Sequence, residues 1–230
     1  MNIIKHVFGS SLGKKYIMAI SGAAMFLFVI AHLLGNLQIF ISREAINRYG
    51  HFLQSNMEIV WPARLGLLLM LVLHVWSAIK LTAENRAARP VAYHHHEVVA
   101  ASYASRTMMM SGLIVFFFIV YHLLHFTVQI REVNLTGQNF LDLHDAQDRH
   151  DVYGMMVLGF SNIWVSLFYI IAMALLSLHL SHGVRSMFQS LGWKKRGYAS
   201  TIDGFATGIA IFIFLGYISI PISIRLGLVK

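Results

Sequence analysis

Residues 107–131 read TMMMSGLIVFFFIVYHLLHFTVQIR, and no acidic residue, lysine or arginine interrupts this run before its last position. A helix needs about 20 predominantly apolar residues to cross a hydrocarbon core about 30 Å thick. The run therefore predicts a membrane-spanning helix. Its two histidines, His122 and His125, lie within the apolar stretch rather than at its ends.

Four further runs of the same kind occur, at about 16–41, 62–82, 154–183 and 204–225. Backbone groups without partners are costly in lipid, so these segments are expected to be helices, and the alternation typical of a membrane barrel is missing. The sequence predicts an all-α integral membrane bundle of five transmembrane helices. We expect it to form a single domain over residues 1–230.

The composition agrees with a protein of the bilayer. Of the 230 residues, 57% are hydrophobic and only 12% are charged, there is no cysteine, and the mean hydropathy is +0.63. A soluble domain usually carries about a quarter charged residues. These values exclude a disordered chain, a disulfide scaffold and a metal protein with thiolate ligands.

Basic residues are concentrated on one side of the predicted bundle. The N-terminal segment with the second and fourth loops holds 11 basic and 3 acidic residues, and the other side holds 7 of each. Positive charge marks the cytoplasmic side, so we expect the N-terminus inside and the C-terminus outside. The basic residues are Lys5, Lys14, Lys15, Lys80, Arg86, Arg89, Arg106, Arg185, Lys194, Lys195 and Arg196.

The net charge of +8 follows from this asymmetry. The expected contacts of the basic side are anionic membrane lipid or an acidic partner subunit, and we expect no binding of nucleic acid.

Histidines occur inside four of the five apolar runs. Ionisable residues at membrane depth are costly and indicate a functional site. A single one could instead be a neutral imidazole that bonds a carbonyl across a helix interface, but four helices with such residues make that reading much less attractive. The histidines are His32, His74, His122 with His125, and His179 with His182.

Helical rise sorts these histidines into two levels. His74 and His179 each lie six residues from a cytoplasmic cation, about 9 Å deep. His32 and His122 lie 17 and 16 residues from theirs, about 25 Å deep. The depth of His74 is the least secure, because only 16 residues separate Lys80 from Arg64 on the other side.

Two histidine pairs on neighbouring helices suit two b-type haems. Bis-imidazole ligation fills both axial positions of the iron, as an electron carrier requires. A zinc or di-iron site would be expected to recruit carboxylates or thiolates as well, and the helix interiors offer neither. Depth favours His122 over His125. The latter and His182 are left for a haem propionate or a neighbouring helix, and the loop residues His94–His96 receive no role.

Several stretches resemble the di-haem cytochrome b anchor of succinate:quinone oxidoreductases, the single-chain, five-helix subunit of succinate dehydrogenases and fumarate reductases. The likeness covers essentially the whole chain and depends on order and spacing rather than on one motif. The stretches are HLLGN at 32–36, YHLLH at 121–125, HLSHG at 179–183 and RSMFQSLG at 185–192.

This resemblance implies that His32 and His122 ligate the distal haem iron and that His74 and His179 ligate the proximal haem iron. It favours His179 over His182 as the ligand. It also implies a flavoprotein subunit, an iron–sulfur subunit docked on the cytoplasmic face, menaquinone as the redox partner, and a multi-pass location in a bacterial cytoplasmic (inner) membrane. The dicarboxylate site would lie on another chain, so no residue here is expected to be catalytic toward it.

One departure from the resemblance concerns proton movement. Some members of the family carry a glutamate in the fourth helix close before the ligating histidine, where this chain has Leu175, Leu176, Ser177 and Leu178. A proton path that depends on that carboxylate is therefore not expected.

A quinone site needs hydrogen-bonding groups and a proton route near the bilayer edge. The outer loop supplies Glu58 as the first candidate, with His51 and Gln54 as weaker ones. A solvated loop glutamate is an equally good reading of Glu58. Arg64 is better suited to a haem propionate or a lipid headgroup, because a guanidinium forks onto carboxylates.

Two alternatives remain from the sequence. One is the cytochrome b subunit of another quinone-linked dehydrogenase. The other is a transporter whose histidines relay protons, against which we note no internal repeat and no broken helix. The direction of electron flow is left open.

Overall fold

The computed structural model describes residues 7–88 and 106–230, and within those residues it is all-helical without a β-strand. Lys5, Arg89 and Glu97, which entered the predicted orientation, and the run His94–His96 lie outside the described residues. The helices are α1 (Ser11–Asn36), α2 (Arg43–Ser55), α3 (Met57–Ala87), α4 (Met108–His122), α5 (Arg131–Asn134), α6 (Val152–Ser161), α7 (Ile163–Ser190) and α8 (Ala199–Arg225).

Five helical segments of the described chain are long and apolar enough to span a membrane, which confirms the predicted number. They are Ser11–Phe40, Met57–Ala87, Met108–Thr127, Ile163–Ser190 and Arg196–Arg225. The first includes a short 3₁₀ turn after α1, and the third includes a π turn, Leu123–Thr127, after α4. The chain is therefore a multi-pass membrane protein.

The predicted fourth span, 154–183, is wrong as one helix. The structure has two helices there, α6 and α7, separated at Asn162, whose backbone is extended (φ −76°, ψ 122°). The Asn162 side chain accepts a hydrogen bond from the backbone N–H of Trp164 at 2.9 Å, so it caps α7. Residues 154–161 are as apolar as a spanning segment, which is why hydropathy joined them to the helix that follows.

Contacts between specific residues fix the directions of the spanning helices. Lys14 near the start of α1 is paired with Glu84 near the end of α3, so these helices are antiparallel. The rings of His32 and His122 face each other near the ends of α1 and α4, so these two are parallel. The hydroxyl of Tyr217 late in α8 donates to the carbonyl of Val29 in α1 at 2.8 Å, so α8 is parallel to α1.

The bundle has two chemically different ends. We call the end that holds Ser11, Ala87, Met108 and Ser190 the basic end, because the lysines and arginines near these helix termini outnumber the acidic residues there. We call the opposite end, which carries α2 and residues 131–162, the loop end. Helix α7 packs on α1, α4 and α8, and α1 also packs on α3.

A charged network covers the loop end and joins α2 to the segment before α6. Asp151 is buried (3% exposed), caps α6 through the N–H of Gly154, accepts a hydrogen bond from Asn47 at 2.9 Å, and is paired with Arg43. Burial acts to raise the pKa of Asp151, but the hydrogen bonds from Asn47 and Gly154 and the pairing with Arg43 together outweigh it and keep the pKa below its ordinary value of 3.8.

A second part of the network is centred on Arg149. Its guanidinium bonds Glu44 on α2 through two nitrogens, at 3.1 and 2.6 Å, and bonds Asp145 as well. The side-chain hydrogen bond from Arg149 is the main reason that the pKa of Asp145 lies well below its ordinary value. These ion pairs bind the segment before α6 to α2, outside the membrane-spanning helices.

We predict that Asp151→Ala destabilises the folded protein by about 1–3 kcal/mol at neutral pH, because it leaves buried donors without an acceptor. The measurement is the midpoint of thermal unfolding in detergent. Since folding lowers the pKa of this carboxyl, the unfolded chain binds more protons as the pH falls through 3.8; the stabilisation begins to decrease there and is lost once the pH falls below the folded-state pKa. The difference between wild type and variant should therefore be full above about pH 5 and shrink in acid.

The control is Asp142→Ala, which removes an exposed carboxylate whose side-chain partner is Asn139. Surface changes of this kind are usually within about 0.5 kcal/mol. Equal shifts for the two variants would contradict the role given to Asp151.

Candidate functional site

The structure brings the four predicted ligand histidines together as two facing pairs. The ring centres of His32 on α1 and His122 on α4 are 5.8 Å apart, with the rings 82° from coplanar. The ring centres of His74 on α3 and His179 on α7 are 6.3 Å apart, with an angle of 62°. We call these the loop-end pair and the basic-end pair. This is the pairing that helical depth predicted.

Contacts with two serines fix the separation of the pairs. The Oγ atom of Ser21 lies 3.4 Å from Nδ1 of His74, and that of Ser111 lies 3.3 Å from Nδ1 of His179. Each serine is 11 residues before the loop-end histidine of its own helix. The two levels are therefore about 16 Å apart along the helices. The contact with Ser21 also places His74 directly, which its distance from Arg64 could not do.

The same pattern, Ser-Gly followed after nine residues by His, occurs on α1 (Ser21 to His32) and α4 (Ser111 to His122). A Cβ atom on Gly22 would lie 3.2 Å from Cε1 of His74, and one on Gly112 would lie 3.3 Å from Cε1 of His179. Each Ser-Gly step therefore receives a histidine from the next spanning helix. The prediction of no internal repeat is wrong. Alignment of the first and third apolar runs on their histidines would have found this one.

Hydrogen bonds at Nδ1 orient three of the four rings. Nδ1 of His74 lies 3.2 Å from the carbonyl oxygen of Met18, which can only accept, so Nδ1 carries the proton and Nε2 has a free lone pair. Nδ1 of His122 lies 3.3 Å from the hydroxyl of Tyr169. Within the described chain, Nε2 of all four histidines has no hydrogen bond, and all four residues are partly exposed.

The contact between His74 and Met18 is also the ordinary carbonyl bond expected of a lone histidine in a membrane helix. It does not explain the facing ring of His179, nor the same arrangement repeated at the other level. Bonds at Nδ1 to a carbonyl or hydroxyl are typical of histidines that bind metal through Nε2.

The other members of the two His-x-x-His pairs are placed differently. His125 is fully buried, its ring centre is 3.9 Å from that of Phe126, and its Nδ1 lies 3.0 Å from the hydroxyl of Tyr169. Nε2 of His182 lies 3.0 Å from Oγ of Ser186 on the same helix. Neither ring takes part in a facing pair, so the geometry favours His122 and His179.

The donor set of each pair fits a macrocycle better than a bare ion. Two imidazoles that bind one metal ion from opposite sides, with metal–nitrogen distances of about 2.0 Å, have ring centres about 6 Å apart. Both pairs meet this spacing. No group of three or more His, Asp or Glu side chains suited to an ion occurs in the described residues, so the remaining ligands would have to come with the cofactor.

The predicted quinone residues do not form a closed site within the described chain. His51, Gln54, Glu58 and Arg64 are all exposed around the junction of α2 and α3 at the loop end. His51 lies beside Ser55, and the Arg64 guanidinium lies 5.4 Å from the ring centre of Trp61. Glu58 is in the first turn of α3, where a carboxylate is favourable for the helix itself.

Three residues around the pairs were not predicted. Serine is common in membrane helices, so Ser21 and Ser111 did not stand out. Tyr169 lies in an apolar run whose inward face the sequence does not reveal. The repeated Ser-Gly step was the only available signal, and it covers only the serines. Comparisons of the chain with protein-family models, with curated proteins and with solved structures find no match.

The absence of cysteine from the chain allows a direct test of the pairing. We predict that His32→Cys/His122→Cys and His74→Cys/His179→Cys, each made as a double variant, are joined by a short thiol-specific cross-linker in membranes. The mismatched double variant His32→Cys/His179→Cys should stay unlinked, since its positions are about 16 Å apart in level. Mass spectrometry of the peptides identifies the link, and a link in the mismatched variant would contradict the two-level arrangement.

Proposed function

We propose that the chain is a di-haem cytochrome b that carries electrons across the membrane, with His32 and His122 as axial ligands of the distal haem and His74 and His179 as those of the proximal haem. The observation that supports this most directly is the presence of two facing imidazole pairs, with free Nε2 atoms, at two levels of one bundle. A haem supplies a reversible one-electron couple and four equatorial ligands, which the helices lack.

The contribution of the protein is to hold the rings. Both axial positions would be filled, so no open coordination site would be left for oxygen, as suits electron transfer. Ser21, Met18 and Ser111 fix the rings of the basic-end pair through Nδ1. The apolar helices around both pairs keep water away and thereby influence the redox potential.

We further propose that this cytochrome is the anchor of a succinate:quinone oxidoreductase in a bacterial cytoplasmic membrane, with its basic end inside. Lys15, Lys80, Lys195 and Arg196 are exposed at that end, while Lys14 and Lys194 are taken up in ion pairs with Glu84 and Asp203. The exposed cations offer an iron–sulfur subunit an electrostatic docking surface close to the basic-end pair. A flavoprotein subunit would act on the dicarboxylate.

Menaquinone would react at the loop end, next to the loop-end pair. Arg64 lies ten residues before His74 on α3, which places it about 15 Å from that histidine and level with His32 and His122. Its guanidinium is therefore suited in depth to a propionate, and Glu58 lies about 9 Å further out, where a proton can be exchanged with the outer side.

We predict two b-type haems per chain in the reduced-minus-oxidised spectrum of the purified protein. His32→Ala or His122→Ala should remove one haem, and His74→Ala or His179→Ala should remove the other, because each iron would lose an axial ligand. His182→Ala is the matched control and should keep both, since its Nε2 is bonded to Ser186.

Protein without haem would overturn the proposal and favour the proton-coupled transporter. If haem is present, the subunits that copurify separate a succinate:quinone oxidoreductase from another quinone-linked dehydrogenase.

We also predict that Glu58→Gln lowers succinate:quinone turnover of the complex on the order of 10²-fold, the usual effect of losing a group that transfers a proton. Both haems should stay in place. The matched control is Glu132→Gln, which changes another exposed carboxylate in the first turn of a loop-end helix. Unchanged turnover in the Glu58 variant would remove this residue from the quinone site.

A further inference from the structure

Tyr169 on α7 places its hydroxyl between two histidines. The oxygen lies 3.3 Å from Nδ1 of His122 and 3.0 Å from Nδ1 of His125. Tyr169 is only 7% exposed, and His125 is fully buried. The hydroxyl is thus shared between a member of the loop-end pair and a histidine that no facing pair uses.

The local backbone builds this arrangement. The π turn Leu123–Thr127 begins directly after His122 and contains His125, and π turns inside helices often occur at functional sites. The rings of Phe126 and Phe140 pack against His125, and the ring of Phe160 packs against Tyr169. Because water has little access, the hydrogen bonds of this group are made among its own members.

The number of protons available fixes the direction of the hydrogen bonds among His122, Tyr169 and His125. If Nε2 of His122 faces the partner ring as a ligand, its Nδ1 carries a proton and donates to the Tyr169 oxygen. The single hydroxyl hydrogen is then directed to Nδ1 of His125, whose proton therefore lies on Nε2. That Nε2 is buried without a partner in the structure, against the Gly159 backbone.

We propose that Tyr169 is a positioning residue for the distal haem: its hydroxyl fixes the tautomer and orientation of His122 and makes this imidazole a stronger electron donor to the iron, with His125 holding the hydroxyl in the accepting direction. This inference rests on the proposed function. A more basic axial ligand stabilises the ferric state, so the Tyr169 bond lowers the midpoint potential of that haem.

The two levels are not equivalent in this respect. In the basic-end pair both histidines have Nδ1 partners, namely Met18 and Ser21 for His74 and Ser111 for His179. In the loop-end pair no hydrogen bond of the His32 ring is found in the described chain, so His122 is the only ring held through Nδ1. Tyr169 accordingly has a larger effect on the loop-end pair than any one of the serines has on the other.

The test is a redox titration of the purified, haem-loaded protein, followed by electron paramagnetic resonance of the oxidised haems. In Tyr169→Phe we expect both haems to remain, the midpoint potential of the distal haem to move upward with a changed resonance signal, and the proximal haem to be unaltered. The distal haem is the one that His32→Ala removes. His125→Leu should produce a smaller shift in the same direction, because the hydroxyl loses the acceptor that polarises it.

The matched control is Tyr217→Phe. The Tyr217 ring centre lies 6.3 Å from that of His32, in the same pair, but its hydroxyl donates to the Val29 carbonyl and to no histidine. This variant should leave both potentials unchanged. Three results would each overturn the inference. They are an equal change of the distal midpoint potential in Tyr217→Phe, a change of the proximal midpoint potential in Tyr169→Phe, and an unchanged distal midpoint potential in Tyr169→Phe.

The outcomes also separate this inference from the proposed function. Wild-type protein without haem would overturn both, whereas two haems with a silent Tyr169→Phe variant would overturn only the role of Tyr169. If Tyr169→Phe fails to retain the distal haem, His125→Leu decides: a higher distal potential supports the inference, and an unchanged one overturns it.

Discussion

Imidazole rings that face each other from different helices set the spacing of the bundle. Their centres are 5.8 and 6.3 Å apart, so the helices that carry them cannot close onto each other at these levels. Each basic-end ring instead rests on a Ser-Gly step of the neighbouring helix, where any side chain on Gly22 or Gly112 would meet it. Helix α3 packs mainly on α1, and only 11% of its most apolar window is buried within the chain, so most of this helix faces outward.

Helical rise and hydropathy predicted the number of spans and the two levels of the histidines, because both follow from distances along a single helix, whereas the choice of His179 over His182 came from the resemblance. The break at Asn162 was not predicted. Residues 154–161 satisfy the same hydropathy criterion as a spanning helix, and one capping side chain decides where α7 begins. The loop-end network could not be predicted for another reason. Asp151 and Arg149 bond residues on α2 that lie about a hundred positions away in the sequence.

The internal repeat changes how the alternatives compare. Because transporters usually contain internal repeats, the apparent lack of one was an argument against a transporter. The Ser-Gly step shared by α1 and α4 removes that argument. The spanning helices are nevertheless unbroken at the basic-end pair, and at the level of the other pair a π turn follows His122. Transporter sites are usually built from interrupted helices. The stronger distinction is that both pairs have the spacing of two imidazoles on one metal, which a proton relay does not require.

The two parts of the repeat differ at one matching position. Tyr169 lies ten residues before His179 on α7, and the residue ten positions before His74 on α3 is Arg64. Both are level with the loop-end pair, yet one is a neutral hydroxyl bonded to His122 and the other an exposed cation beside Trp61. A hydroxyl that accepts from a ligand favours the oxidised iron, whereas a nearby cation favours the reduced one. The same helical pattern thus supplies two similar pairs, and in a cytochrome of the kind proposed the two residues at this matching position would act on the loop-end pair in opposite senses.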